Sequence, residues 1–69
     1  KLDDLTERER EVVVLIGLGK SNGEIAEQLV LSKRTVEKHI ANIFTKLALD
    51  NRAQIVRWVI DQGLIRPGL

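Results

Sequence analysis

The sequence predicts an all-α domain of four short helices. Three observations carry that expectation. Helix-start residues recur at Thr6, Ser21, Ser32 and Asp50-Asn51. The apolar residues between them return at three- and four-residue spacing, and no stretch alternates apolar with polar as a half-buried strand does. In chain order, Thr6-Glu7-Arg8-Glu9 has the form of a capping box, the Thr6 hydroxyl accepting from the Glu9 amide while the Glu9 carboxylate reaches back. Leu5 stands ahead of it as a staple. The run Val12 to Ile16 is strand-like in composition, but the box before it and a length of about twelve residues favour helix. Gly19 supplies a left-handed residue to end it. Ser21-Asn22-Gly23-Glu24 is a second capping box, opening a short helix with Ile25, Ala26 and Leu29 on one side. Ser32 caps the third helix. Asp50 or Asn51 caps the fourth, which is expected to run to Gly63, with Leu64 packing on Val59 as in a Schellman ending. Pro67 sits in the tail. Periodicity assigns Val12, Ile16, Ile25, Leu29, Val36, Ile40, Ile43, Leu47, Val56 and Ile60 to the core.

A chain of 69 residues holds one hydrophobic core, so residues 1–69 are read as a single domain with an ordered part of about 5–65. Its 43% hydrophobic and 30% charged residues give a globular balance rather than a disordered one. With no cysteine and one histidine, it has neither a disulfide framework nor a conventional zinc-ligand set, which fits a reducing, cytoplasmic setting. No apolar run approaches the roughly 18 residues of a membrane span. The chain begins with Lys rather than Met, and is expected to be a fragment of a longer protein. The net charge of +1 hides a split: residues 1–27 carry four bases and seven acids, residues 28–69 seven bases and three acids. A near-neutral total therefore leaves room for a polyanionic partner.

Glu24 to Leu47 has the layout of a helix-turn-helix: a short helix, a turn at Val30-Leu31-Ser32 and a longer helix. Ala26 is the small residue that lets two helices cross closely, and Ile25, Leu29, Leu31 and Val36 fill the crossing. The turn position that such motifs often give to Gly holds Val30, and His39 occupies the last apolar offset, with Ile40 beside it. On a helical wheel centred on Val36, Ile40, Ile43 and Leu47 fall within about 40° of it, one buried stripe with Phe44 at its edge. The opposite side holds Arg34, Lys38, Ala41, Asn42 and Thr45 without an acid, and Glu37 lies on the flank. Such a face suits a major groove, with a guanidinium or ammonium for guanine, an amide for adenine and a small residue for close approach.

The strings Leu5-Thr6-Glu7-Arg8-Glu9, Gly19-Lys20-Ser21-Asn22-Gly23-Glu24-Ile25-Ala26, Ser32-Lys33-Arg34-Thr35-Val36-Glu37-Lys38-His39, Lys46-Leu47 and Arg52 together resemble the LuxR-type DNA-binding domain. That domain is the C-terminal output module of quorum-sensing regulators and of NarL/FixJ-type response regulators. The resemblance spans about residues 5–65, in order and at matching spacing. It implies a recognition helix at about 33–47 in the major groove of double-stranded DNA, a fourth helix that dimerises, an N-terminal sensory or receiver domain elsewhere in the protein, and RNA polymerase as a further partner. Two positions depart from the family pattern: Glu37 where Lys is frequent, and Ala48 where Gly often follows Lys46-Leu47.

Base-contact candidates are Arg34, Glu37, Lys38, Ala41 and Asn42; phosphate contact is the second reading for Lys38, and Glu37 either accepts from cytosine or pairs with Lys33 or Arg34. Phosphate candidates are Lys20, Ser21, Asn22, Lys33, Thr35, Thr45 and Lys46, of which Ser21 and Thr35 are also explained by helix-start chemistry. His39 reads as a half-buried or phosphate-side histidine. On the fourth helix, Ala53, Val56, Val59 and Ile60 share an expected inward face, leaving Ile55 and Trp58 with Gln62 outside it as dimer candidates. Trp58 could instead fold back over Leu64. The alternatives are the promoter-binding region 4 of a sigma factor and a helical module that binds only protein. An enzyme is disfavoured: the chain has no cysteine, no tyrosine and one histidine, with no metal set, glycine-rich phosphate loop or cofactor site.

Overall fold

A computed structural model describes residues 4–65; Pro67 lies outside the described residues. Its four helices are α1 (Glu7–Gly17), α2 (Asn22–Leu29), α3 (Lys33–Leu47) and α4 (Arg52–Asp61), with no strand among the described residues. Helix α1 is central, with α3, α4 and α2 all against it, while α2 and α3 pair as the helix-turn-helix.

Each helix begins at a side-chain cap. The Thr6 hydroxyl accepts from the Glu9 amide at 3.1 Å, and Glu9 Oε1 accepts from the Thr6 amide at 3.0 Å. The Ser21–Glu24 box closes the same way at 3.1 and 2.8 Å. Ser32 accepts from Thr35 N–H at 3.1 Å, and Asn51, rather than Asp50, caps α4 through Gln54 N–H at 3.0 Å. The ends are equally local. Gly19 takes φ +88° behind α1 as Lys20 N–H bonds Leu15 C=O. Helices α2 and α3 reach the same left-handed ending without glycine, at Val30 (φ 57°) and Ala48 (φ 54°). The long C-cap bonds still form, Leu31 N–H to Ala26 C=O at 2.8 Å and Leu49 N–H to Phe44 C=O at 3.1 Å. A left-handed residue with a side chain costs about 1–2 kcal/mol, and β-branched Val30 bears it while 88% exposed. Helix α4 stops at Asp61, two residues short of the expected Gly63. Gln62 is the cap, and Gly63 (φ +74°) turns the chain so that Leu64 N–H reaches Val59 C=O at 3.1 Å.

The core contains Val12, Ile16, Ile25, Val36, Ile40 and Ile43 as periodicity requires. Leu29, Leu47 and Val56 only flank it, half-buried, and Ile60 is likewise half-buried. Val13, Leu15 and Ile55 are additionally buried, because α1 meets neighbours on two sides and α4 sits at a different rotation from the expected one, while Val59 is buried as expected. Helix α4 presents Ile55 and Val59 inward, both at 0% exposure, and leaves Ala53 exposed. Gly17 fixes this approach: a Cβ there would stand 2.9 Å from Val59 Cγ1 and 2.9 Å from Ile65 Cδ1.

A contact between distant parts of the chain ties α3 to α1. Lys46 Nζ donates to Glu9 Oε1 at 2.8 Å, where the Glu9 side chain is 3% exposed and that of Lys46 35%. Burial pushes the Glu9 carboxyl upward, but the Lys46 hydrogen bond, the Thr6 amide and the charges of Lys46 and His39 outweigh it and hold it below the ordinary value of 4.5.

Candidate nucleic-acid interface

The solvent face of α3 follows from its buried one. With Val36, Ile40 and Ile43 locked against the core, Arg34, Glu37, Lys38, Ala41, Asn42 and Thr45 are all exposed. Glu37 makes no hydrogen bond or ion pair with Lys33 or Arg34 among the described residues, so its carboxylate stands on the face as a free acceptor. Arg34, Lys38 and Asn42 are likewise without side-chain partners there, leaving their donors available. His39 is half-buried at the border of the stripe.

The phosphate candidates divide by what already engages them. Ser21 accepts from Glu24 N–H through Oγ and keeps its own hydroxyl hydrogen. The Ser32 and Thr35 hydroxyls lie 2.9 Å apart, so one of their two hydrogens remains for an outside acceptor. The Lys33 side chain lies over the start of α2: a Cβ on Gly23 would stand 3.2 Å from Lys33 Cε. Lys20 and Asn22 are half-buried in the same turn. Two candidates are engaged inside the domain. The single hydroxyl hydrogen of Thr45 goes to Ala41 C=O at 3.2 Å, and the Lys46 ammonium is on Glu9. No local signal marks that ion pair, whose partners are 37 residues apart.

Arg52, which enters the sequence pattern only through the family resemblance, has a structural role of its own. From the first turn of α4, its Nη1 donates to Asn22 Oδ1 and its Nη2 to the Lys20 carbonyl, both at 2.7 Å. A half-buried arginine fork needs two acceptors converging from another element, and that convergence appears only in three dimensions.

On α4 the expected dimer set does not hold together. Ile55 is in the core, Trp58 is half-buried against it, and Gln62 is exposed at the C-cap. The expected phase placed Val56 at the centre of the inward face; the actual centre lies between Ile55 and Val59. What remains outside is a shallow open groove lined by Leu49, Gln54, Arg57, Trp58 and Asp61. Among the described residues no group of His, Asp or Glu side chains is arranged to hold a metal ion, and no helix is long and apolar enough to cross a membrane.

Residues 3–59 match the family model for bacterial regulatory proteins of the luxR family. The chain is 46% identical over 57 residues, 83% of its length, to the CsgBAC operon transcriptional regulatory protein of Escherichia coli strain K12, and covers 26% of that relative. It is 44% identical over 64 residues to the transcriptional regulatory protein LnrK of Bacillus subtilis strain 168, covering 93% of this chain and 29% of LnrK. Response regulator protein VraR of Staphylococcus aureus strain NCTC 8325 is 42% identical over 62 residues, 90% of this chain and 30% of VraR. The chain thus spans under a third of the length of these relatives. The four-helix order, the α2–α3 helix-turn-helix and the family match agree: the chain belongs to the luxR family of bacterial regulatory proteins, as a helix-turn-helix DNA-binding domain of the transcription-regulator type.

Proposed function

We propose that this domain reads double-stranded DNA with α3 in the major groove, as the output module of a longer cytoplasmic regulator, two copies occupying two half-sites. The observation that carries the reading is the exposed face of α3 from Arg34 to Asn42, where Glu37 is the only acid and the side chains of Arg34, Glu37, Lys38 and Asn42 have no hydrogen-bond or ion-pair partner among the described residues. Arg34 and Lys38 suit guanine O6 and N7, Asn42 suits adenine, Glu37 accepts from cytosine N4, and Ala41 permits close approach. Lys20, Ser21, Asn22, Lys33 and Thr35 face phosphate, using the hydrogens that the caps leave free. Thr45 and Lys46 stay outside this contact set because the one Thr45 hydroxyl hydrogen is used within the domain and the Lys46 ammonium is held on Glu9.

Pairing in this reading uses the Trp58 groove together with Gln62, without Ile55. The contact is small, so copies meet mainly on DNA. The match to the luxR family favours a regulator over a sigma-factor segment, and the relatives' names and greater lengths favour a separate sensory or receiver domain. RNA polymerase is the further partner that the family resemblance implies for the whole protein. Selection of bound sequences from random duplexes tests the reading. It predicts two similar half-sites about one helical turn apart and affinity that falls steeply with salt. An unenriched pool, or equal binding at 50 and 300 mM salt, would reject it.

A further inference from the structure

We infer that Arg52 is a positioning residue for DNA binding, holding the phosphate-facing turn at the start of α2 without itself touching DNA. The inference rests on the DNA-binding reading above. Its two acceptors, the Lys20 carbonyl and Asn22 Oδ1, lie on either side of Ser21, the residue that caps α2. One planar guanidinium, anchored on the rigid first turn of α4, therefore fixes the cap residue from both flanks. The pairing also orients Asn22. A guanidinium offers donors only, so the carboxamide must turn its oxygen to Arg52. The Asn22 Nδ2 hydrogens are then left without a partner among the described residues, as a donor pair beside the free Ser21 hydroxyl hydrogen and the Lys33 side chain over Gly23. The turn becomes a preformed cluster of donors suited to a phosphate oxygen, and preformation lowers the ordering cost of the contact.

The test is a methylphosphonate scan, replacing one phosphate at a time by a neutral analogue along the selected duplex, read by fluorescence anisotropy. Positions that weaken the wild type but not Asn22→Ala mark the phosphates at α2. Arg52→Met is expected to keep its helical circular dichroism, to lose affinity roughly tenfold on selected and random duplexes alike, and to become insensitive at those phosphates only. Arg52→Lys, which can reach one acceptor at a time, should recover part of the loss. Asn22→Asp keeps a partner for the guanidinium, and so keeps the fold, but removes the donors; it is expected to lose the same phosphates. A folded Arg52→Met that retains the wild-type scan, or is weakened evenly at every phosphate, overturns the inference. If Arg52→Met does not fold, Asn22→Asp decides, and an unchanged scan in that variant overturns it. A wild type that binds no duplex removes the DNA-binding reading, and this inference with it.

Discussion

Replacing Lys46 by Met should destabilise the domain without affecting its DNA contacts. Met preserves most of the apolar stem but deletes the ammonium 2.8 Å from Glu9 Oε1. A carboxylate 3% exposed is then left with the Thr6 amide as its only hydrogen-bond donor among the described residues. Breaking a fully buried pair costs about 3–5 kcal/mol, whereas a single hydrogen bond to a charged group is worth about 1.5–3 kcal/mol. Lys46 is 35% exposed, so its own desolvation was incomplete and the lower range applies. The expectation is a loss of about 2 kcal/mol at pH 7, or roughly 10 °C in Tm for a domain this size. The pH dependence carries a sign. Glu9 titrates below the ordinary 4.5 in the folded chain, so its contribution is complete above that value and is lost as the pH falls through the folded one. Without Lys46, burial opposes only the Thr6 amide and the His39 charge, and the folded value climbs. The gap between wild type and variant should therefore narrow as the pH drops from 6 to 3. Urea unfolding followed by circular dichroism measures it, and repeating the substitution on a Glu9→Gln background should reduce the cost to a few tenths of a kcal/mol. Equal stability at pH 7, or a gap that widens in acid, would refute the reasoning. So would a salt slope of DNA binding reduced by about 0.9, which would make Lys46 a phosphate contact.

Arg34→Ala and Lys38→Ala should each reduce discrimination between selected and random duplexes by roughly 1–3 kcal/mol; a loss shared equally by both duplexes would assign the residue to phosphate. Val30→Gly should raise stability by roughly 0.5–1 kcal/mol in thermal unfolding, because relief of left-handed strain exceeds the added chain entropy; no gain would mean that Val30 bears no strain. Trp58→Ala should lower cooperativity on a duplex with two half-sites while leaving affinity for one half-site near wild type, and unfolding instead would place Trp58 among the residues that hold the core.

The helix starts were legible because caps are local chemistry: Thr6, Ser21, Ser32 and Asn51 each bond an amide three residues ahead. The groove face of α3 was legible because a 15-residue helix with one stripe, Val36–Ile40–Ile43, has a single self-consistent rotation. Helix α4 has no such stripe. In ten residues it carries Ala53, Ile55, Val56, Trp58, Val59 and Ile60 over a broad arc opposite Gln54, Arg57 and Asp61, so periodicity admits Val56 as well as Ile55–Val59 as the inward centre. That choice is made by tertiary contacts, Gly17 admitting Val59 and Arg52 reaching the α1–α2 turn. The Glu9–Lys46 pair escaped for the same reason: each residue has a sufficient local explanation, one in a capping box and the other on a basic face.

Because the chain contains no cysteine, a single Ala41→Cys substitution can carry a tethered DNA-cleaving reagent at one defined place on α3. Ala41 is exposed in the middle of the proposed reading face, and Glu11, exposed on α1 against the buried side of α3, provides the control position. On the selected duplex, cleavage from position 41 should concentrate within each half-site, on the base pairs that Arg34→Ala and Lys38→Ala cease to discriminate, while cleavage from Glu11→Cys is weak and diffuse. Equal cleavage from both positions, or a focus at position 11, would contradict the placement of α3 in the groove.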